Sequence, residues 1–175
     1  MKVLVACVGN IFLGDDGFGT AVAQRLAARN LPGGAVVRDF GIRGLDLAYA
    51  LLNPWDLVLL VDACPRGGDP GTIYVIEPEI PQPGPAPYPH EDPHDMNPLA
   101  MLSTVHAMGG AQNPILIVGC EPGDLGGEEG RLGLTPAVEA AVDEAIAVIE
   151  NLLSQFARGQ SLSMCASPFL EKSSN

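Results

Sequence analysis

Apolar runs of strand length alternate with helix-like segments along most of this chain. The expected strands cover residues 2–9, 35–41, 56–64, 71–78 and 114–122. Apolar residues at helical spacing mark the expected helices, which cover residues 18–30, 45–53, 97–110 and 135–157. The most apolar run, DLVLLVDAC at 56–64, is typical of a central strand covered on both faces. The alternation predicts a three-layer α/β sandwich with a mostly parallel five-stranded sheet between helices.

Local signals refine this prediction. The segment PRGGDPG after the run 56–64 is too short for a helical crossover, so the strand at 71–78 is expected to run antiparallel to its predecessor. The segment EIPQPGPAPYPHEDPHD at 79–95 is crowded with proline and predicts a long loop, which inside a compact domain is often functional. Thr135 is expected to cap the longest helix, with Pro136 as its first residue.

The composition bounds the class of protein. The chain has 175 residues, of which 47% are hydrophobic and 17% are charged, and this fits one compact domain. We expect a single domain at residues 1–157, because the serine-rich segment 158–175 has no apolar pattern and is expected to be disordered. A net charge of −12 argues against a nucleic-acid partner. No segment reaches the ~18 apolar residues of a membrane span, and four cysteines without a CxxC pair fit the reducing cytoplasm.

The stretch VGNIFLGDDGFGT at residues 8–20 joins the first strand to the first helix. Its glycines have the G-x-x-x-x-G spacing of a phosphate loop, but Asp15 and Asp16 stand where Lys and Ser or Thr belong. A phosphate about 4 Å from one of these carboxylates would be repelled by about 4 kcal/mol at an effective dielectric constant of about 20. The turn therefore suits a cation better than a phosphate. An aspartate beside a helix start commonly caps the helix, which is the favoured interpretation of Asp15, whereas Asp16 is the favoured cation contact.

Further polar residues follow the ends of other expected strands. They are Asp62 at the end of the central strand, Arg43 after the second strand, Glu121 after the fifth, and His94 in the proline-rich loop. In a parallel sheet these positions can share one crevice. Asp16, Asp62 and His94 would supply two carboxylates and one imidazole to a metal site with open positions. From spacing alone, Asp62 could instead bond backbone amides in a turn, and His90 is an equal candidate for the imidazole.

Hydrolytic nucleophiles are poorly represented in the chain. No serine lies in a G-x-S-x-G turn, and Cys64 is expected to pack beneath the site. Hydrolysis would therefore need a metal or a carboxylate to activate water. Gly41 and Gly44 bracket Arg43 at a strand end, where its guanidinium could hold a substrate carboxylate. A solvent-facing arginine in a turn is an equal alternative.

Several motifs in combination resemble one family. The stretches GNIFLGDDGFG, LVDA, HDMNP, VGCEP and GLTPAVEAAVDEA are similar to those of the hydrogenase maturation endopeptidases, and the resemblance runs from residue 2 to about residue 153. It implies a twisted, mostly parallel five-stranded sheet. It also implies an endopeptidase that removes the C-terminal extension of a nickel–iron hydrogenase large-subunit precursor after nickel insertion.

The resemblance also implies a set of site residues. By motif matching, Asp16, Asp62 and His94 contact the nickel and form the catalytic site. The HDMNP motif favours His94 over His90. The nickel is expected to arrive with the precursor rather than to be stably bound by the free enzyme.

Three other functions stay open at this point. A non-catalytic chaperone that binds nickel or the precursor would use the same ligands. A flavodoxin-like nucleotide binder would fit the topology, although the acidic turn argues against it. A zinc hydrolase would hold its metal in the free protein. The sequence leaves open which hydrogenase is processed and whether nickel is catalytic or only a recognition element.

Overall fold

A computed structural model describes residues 1–78, 113–160 and 162 of the chain. The strands are β1 (Val3–Val8), β2 (Val36–Gly41), β3 (Leu57–Ala63), β4 (Ile73–Ile76) and β5 (Ile115–Cys120). The helices of this part are α1 (Phe18–Leu26), α2 (Gly44–Leu51) and α3 (Pro136–Ala157). Each predicted element within these ranges is present. Most strand ends lie one or two residues inside their predicted bounds, because the flanking residues leave the ladders, and β2 ends at Gly41 as predicted. The helix predicted at 18–30 ends earlier, at Leu26.

The five strands form one sheet in the order β2-β1-β3-β5-β4. The pairs β1–β2, β1–β3 and β3–β5 are parallel, and β4 pairs antiparallel with β5. The predicted antiparallel direction of the fourth strand is therefore confirmed, but β5 lies between it and β3. The central position of β3 explains its continuous apolar run, because helices or loops cover both of its faces.

Two apolar clusters lie on opposite faces of the sheet. On one face, α1 and α3 contribute Phe18, Leu26 and Ile146, which are almost fully buried against β1 and β3. On the other face, α2 buries Leu47 and Leu51. This arrangement confirms the three-layer α/β sandwich with a mostly parallel five-stranded sheet. It also places the carboxyl ends of the parallel strands at one edge, where Asp16 and Asp62 lie.

The start of α3 differs from the prediction in one respect. Thr135 occupies the N-cap position with an extended backbone, and Pro136 is the first helical residue, as expected. However, the Thr135 side chain makes no capping hydrogen bond. Its hydroxyl donates instead to Asp15 Oδ2 at 2.9 Å. The prediction of a cap used only the residues next to Thr135, whereas the acceptor of its hydroxyl is Asp15, which is 120 residues away in the sequence.

Several predictions fall on other parts of the chain. The expected helix at 97–110, the proline-rich loop at 79–95, and most of the segment 158–175 lie outside the described residues. Within the described ranges, no helix is long and apolar enough to cross a membrane. The division into a domain at 1–157 and a disordered tail stays a prediction.

Candidate active site

Two glycines let the acidic turn fold back onto the sheet edge. Gly9 has a φ of +146°, and a Cβ atom there would lie 2.0 Å from the backbone oxygen of Asp16. A Cβ atom on Gly19 would lie 2.1 Å from the carbonyl oxygen of Val8 and 2.5 Å from that of Val61. These positions exclude any side chain, and they let α1 begin directly against the ends of β1 and β3. The glycine-rich stretch is thus a tight turn, as its sequence indicates.

The turn brings Asp16 towards Asp62. Asp16 is half-buried, and its Oδ2 accepts a hydrogen bond from the Asn10 amide at 2.8 Å. Asp62 is buried at the end of β3, and its Oδ1 accepts from the Ala63 amide at 2.8 Å. The two carboxylates are close enough that the charge of Asp16 acts on Asp62. We call Asp16 and Asp62 the acid pair.

The environment of Asp62 favours its protonated form. The pKa of Asp62 is raised from 3.8 to about 8, chiefly by burial and secondly by the charge of Asp16, and the Ala63 hydrogen bond acts in the opposite sense. Desolvation and a neighbouring like charge are the two ordinary causes of such a shift. A carboxyl group with a pKa near neutrality can serve in general acid–base catalysis, and a pair of close carboxylates can also bind a cation.

Asp15 has a different environment from its neighbour. It is fully buried, and its carboxylate accepts four hydrogen bonds from the connection between β5 and α3. The donors are Gly123 N at 2.8 Å, Asp124 N at 2.9 Å, Thr135 N at 2.6 Å and Thr135 Oγ1 at 2.9 Å. The helix cap predicted for Asp15 is wrong, because its side chain caps neither the short 3-10 turn nor α1. Its carboxylate joins the acidic turn to the distant connection instead.

Backbone hydrogen bonds add to the link between these two loops. The Asp15 amide donates to Asp124 O at 2.9 Å, and the Gly14 amide donates to Arg131 O at 2.7 Å. The Arg131 amide donates in turn to Phe12 O at 2.8 Å, and Leu13 forms a parallel bridge with Arg131. The loop that carries Asp16 and the loop 121–135 are therefore held together by side-chain and main-chain bonds, and they form one unit at the sheet edge.

Glu121 follows β5 and organises the connection between β3 and β4. It is buried, and it accepts from Arg66 N at 2.8 Å, from Gly67 N at 3.1 Å and from the Tyr74 hydroxyl at 2.8 Å. Burial alone would raise the pKa of Glu121, but these hydrogen bonds outweigh it and hold the pKa below its ordinary value. The Arg66 guanidinium also lies 5.7 Å from the centre of the Tyr74 ring. The Glu121 carboxylate thus stabilises this connection. The sequence predicted only that Glu121 lies near the crevice.

The environment of Cys64 does not suit a nucleophile. Burial, followed by the charge of Asp62, raises the pKa of the Cys64 thiol to about 12. A Cβ atom on Gly119 would lie 2.7 Å from Cys64 Sγ, so the thiol packs directly on β5. Because the thiolate is the reactive form, this agrees with the packing role predicted for Cys64.

The Arg43 side chain contacts acceptors in the same turn of the chain. Its Nε donates to Phe40 O at 3.1 Å, its terminal nitrogen donates to Asp39 O, and Nε lies 3.5 Å from Asp46. These contacts favour the interpretation of Arg43 as a surface arginine that stabilises a turn. A carboxylate of the substrate would have to compete with all three acceptors.

Two of the three predicted site residues are brought together in this way. His94, its competitor His90, and the rest of the proline-rich loop lie outside the described residues. In the described part of the chain, no group of three or more His, Cys, Asp or Glu is arranged to hold a metal ion. Within that part, the candidate site consists of the acid pair on its glycine-supported turn. The bonds of Asp15 to loop 121–135 were missed by sequence reasoning.

Comparison with known proteins agrees with this architecture. Residues 20–152 match the family model described as hydrogenase maturation protease. Hydrogenase 2 maturation protease of Escherichia coli is 30% identical over 148 residues, which span 83% of this chain and 87% of that protein. The coenzyme F420 hydrogenase subunit delta of Methanothermobacter thermautotrophicus is 30% identical, over 85% of this chain and 92% of that protein.

A solved structure gives the same result at the level of the fold. The hydrogenase maturating endopeptidase HybD from Escherichia coli superposes with a TM-score of 0.69 and 29% identity, over 91% of this chain and 94% of that one. The family model, the Escherichia coli relative and this solved structure are named as proteases or endopeptidases, so this chain is a peptidase. The resemblance noted in the sequence is confirmed, and the chain belongs to the hydrogenase maturation protease family.

Proposed function

We propose that this chain removes the C-terminal extension of a nickel–iron hydrogenase large-subunit precursor after nickel has been inserted. In this proposal the nickel is part of the substrate, and Asp16, Asp62 and His94 contact it when the precursor docks. The observation that carries the proposal is the acid pair at the carboxyl edge of the sheet. The membership of the chain in a peptidase family supports the cleavage reaction over a non-catalytic chaperone.

The chemistry of the acid pair fits a nickel-bearing substrate. Nickel accepts carboxylate and imidazole ligands, which are the groups that the three residues would offer. Burial of Asp62 beside Asp16 makes two negative charges unfavourable there, and this raises the pKa of Asp62 to about 8. A divalent cation would offset that repulsion and replace the proton on Asp62. Docking at neutral pH is therefore expected to release a proton at the site.

The two carboxylates have different positions and therefore suit different roles. Asp16 is the more exposed of the pair, and its carboxylate is the one better placed to accept a proton from an attacking water. Asp62 is buried and is the better placed to give up a proton when the substrate docks. The nickel, when present in the precursor, would supply positive charge that anchors the scissile region at this edge.

The reducing cytoplasm is the proposed location of this activity. The described cysteines Cys7, Cys64 and Cys120 are free thiols, which is the usual state in that compartment. Cell fractionation with an antibody against the chain would test this directly. Recovery of the protein from an oxidising compartment with its cysteines paired would contradict it.

The test of the function is a cleavage assay with purified large-subunit precursor, prepared with and without nickel. The mass of the large subunit is followed after addition of the wild-type protein. We expect the C-terminal extension to be lost only from the nickel-loaded precursor. Equal cleavage of both forms would remove nickel recognition from the proposal, and cleavage of neither form would remove the proposed substrate.

A further inference from the structure

Four large apolar side chains are exposed on the two loops beside the acid pair. They are Ile11, exposed to 48%, Phe12 to 63%, Leu125 to 42% and Leu132 to 74%. We call these four residues the apolar patch. Single exposed apolar residues are ordinary, but an apolar group concentrated on one face commonly marks a binding surface.

The backbone brings these residues of two distant segments together. Phe12 O accepts the Arg131 amide at 2.8 Å, so Phe12 lies next to the residue that precedes Leu132. Gly126, which follows Leu125, packs so closely on Leu13 that a Cβ atom there would lie 3.1 Å from the Leu13 Cα. The four residues of the patch therefore lie on two segments that are adjacent in space.

The patch is rigidly connected to the candidate active site. Asn10, the residue before Ile11, donates its amide to the Asp16 carboxylate at 2.8 Å. The four hydrogen bonds to the fully buried Asp15 hold the other loop in place. Exposed apolar side chains on a backbone that is already fixed lose little further freedom on binding, which favours docking of a partner.

The charge around the patch limits the chemistry of the partner. Arg131 is paired with Asp124, so its charge is neutralised locally. Glu128 and Glu129 lie in the same loop and are exposed, and the whole chain carries a net charge of −12. The patch is therefore an apolar surface with an acidic rim, and it suits an apolar protein surface with basic residues at its edge.

We propose that the apolar patch docks the hydrogenase large-subunit precursor beside the acid pair. The inference rests on the proposed function and adds a binding surface to it. The patch continues directly from the residues that support Asp16, so a protein seated on it would also reach the acid pair. The precursor is therefore the occupant that this position favours over a second copy of the chain.

The test uses steady-state cleavage of nickel-loaded large-subunit precursor by the double variant Phe12→Ser/Leu132→Ser. We expect KM to rise about tenfold or more while kcat stays within about threefold, because the lost contacts bind the partner and not the transition state. The control is Val36→Ser, which removes a side chain exposed to 42% on the first residue of β2, at the opposite edge of the sheet. The control is expected to leave KM unchanged.

The acidic rim gives a second, independent readout. Glu128→Gln/Glu129→Gln should raise KM at low salt and weaken its dependence on salt concentration, because the two charges that would attract a basic partner are removed. Urea unfolding midpoints that match the wild-type value would show that both sets of variants are folded. These residues are exposed, so folding is expected to be unaffected.

The outcomes separate this inference from the proposed function. If the wild-type protein cleaves the precursor and the double variant has an unchanged KM, the docking surface is wrong and the function stands. If the wild-type protein neither binds nor cleaves the precursor, both are overturned. Light scattering covers the alternative occupant: a wild-type dimer that the double variant converts to a monomer, with KM unchanged, would assign the patch to self-association instead.

Discussion

Replacement of Asp62 by Asn is expected to stabilise the protein in a pH-dependent way. The pKa of Asp62 is about 8 in the folded protein and 3.8 in the reference state, chiefly because of burial and secondly because of Asp16. Between these two values the folded state binds more protons than the unfolded state, so stability falls as pH rises. Asparagine removes this titration and keeps an oxygen that can accept the Ala63 amide.

The magnitude follows from the pKa shift. One proton contributes a slope of about 1.4 kcal/mol per pH unit inside the window between the two pKa values. The shift from 3.8 to about 8 corresponds to a total of about 6 kcal/mol above the upper value. Between pH 5.5 and pH 8, the advantage of Asp62→Asn over wild type is therefore expected to grow by about 3 kcal/mol.

Urea unfolding at a series of pH values measures this advantage. The range from pH 5.5 to pH 8.5 avoids the sequence isoelectric point near 4.4. Asp143→Asn is the matched control, because Asp143 is an exposed acid on α3 whose pairing with Arg25 is expected to contribute under about 1 kcal/mol. A stability difference for Asp62→Asn that is constant across this range would refute a raised pKa at Asp62. Asp16→Asn should lower the upper pKa and so narrow the pH window in which stability falls, without closing it, because burial is the larger cause.

Three other substitutions have definite expected outcomes. Asp15→Asn should lower the free energy of unfolding by about 3 kcal/mol, because an amide NH₂ would face buried donors. Thr135→Val should lower it by only about 1 kcal/mol, because one hydrogen bond is lost. Equal losses, measured by urea unfolding, would contradict the hydrogen bonds described for Asp15. Gly19→Ala should prevent stable folding, since its Cβ would lie 2.1 Å from a carbonyl oxygen of β1, and a wild-type melting temperature would be incompatible with that packing. His94→Ala should abolish cleavage of nickel-loaded precursor and His90→Ala should retain it; the reverse result would transfer the ligand role.

The layered fold was predictable because its signals are local. A strand such as β3 is covered on both faces, so nearly all of its side chains must be apolar, and a continuous apolar run in the sequence indicates this. The start of α3 at Pro136 was likewise marked by residue types in adjacent positions. The strand order β2-β1-β3-β5-β4 depends on pairings between distant segments, and the apolar runs alone do not specify those pairings.

The candidate site was predictable only in part for the same reason. Asp16 and Asp62 could be selected because each follows a strand whose carboxyl end is shared with its neighbours. The partners of Asp15 are 108 to 120 residues away, so a local rule assigned it a helix cap instead. The Thr135 side chain was predicted to cap α3, but its hydroxyl donates to the Asp15 carboxylate, which a local rule could not anticipate.

The most direct test of the acid pair is the mass of the large subunit after nickel-loaded precursor has been incubated with three proteins. These are the wild type, Asp16→Asn, and the surface control Asp143→Asn. We predict that the C-terminal extension is lost with the wild type and the control and is retained with Asp16→Asn. Cleavage by Asp16→Asn at the wild-type rate would contradict a role for the acid pair in the reaction.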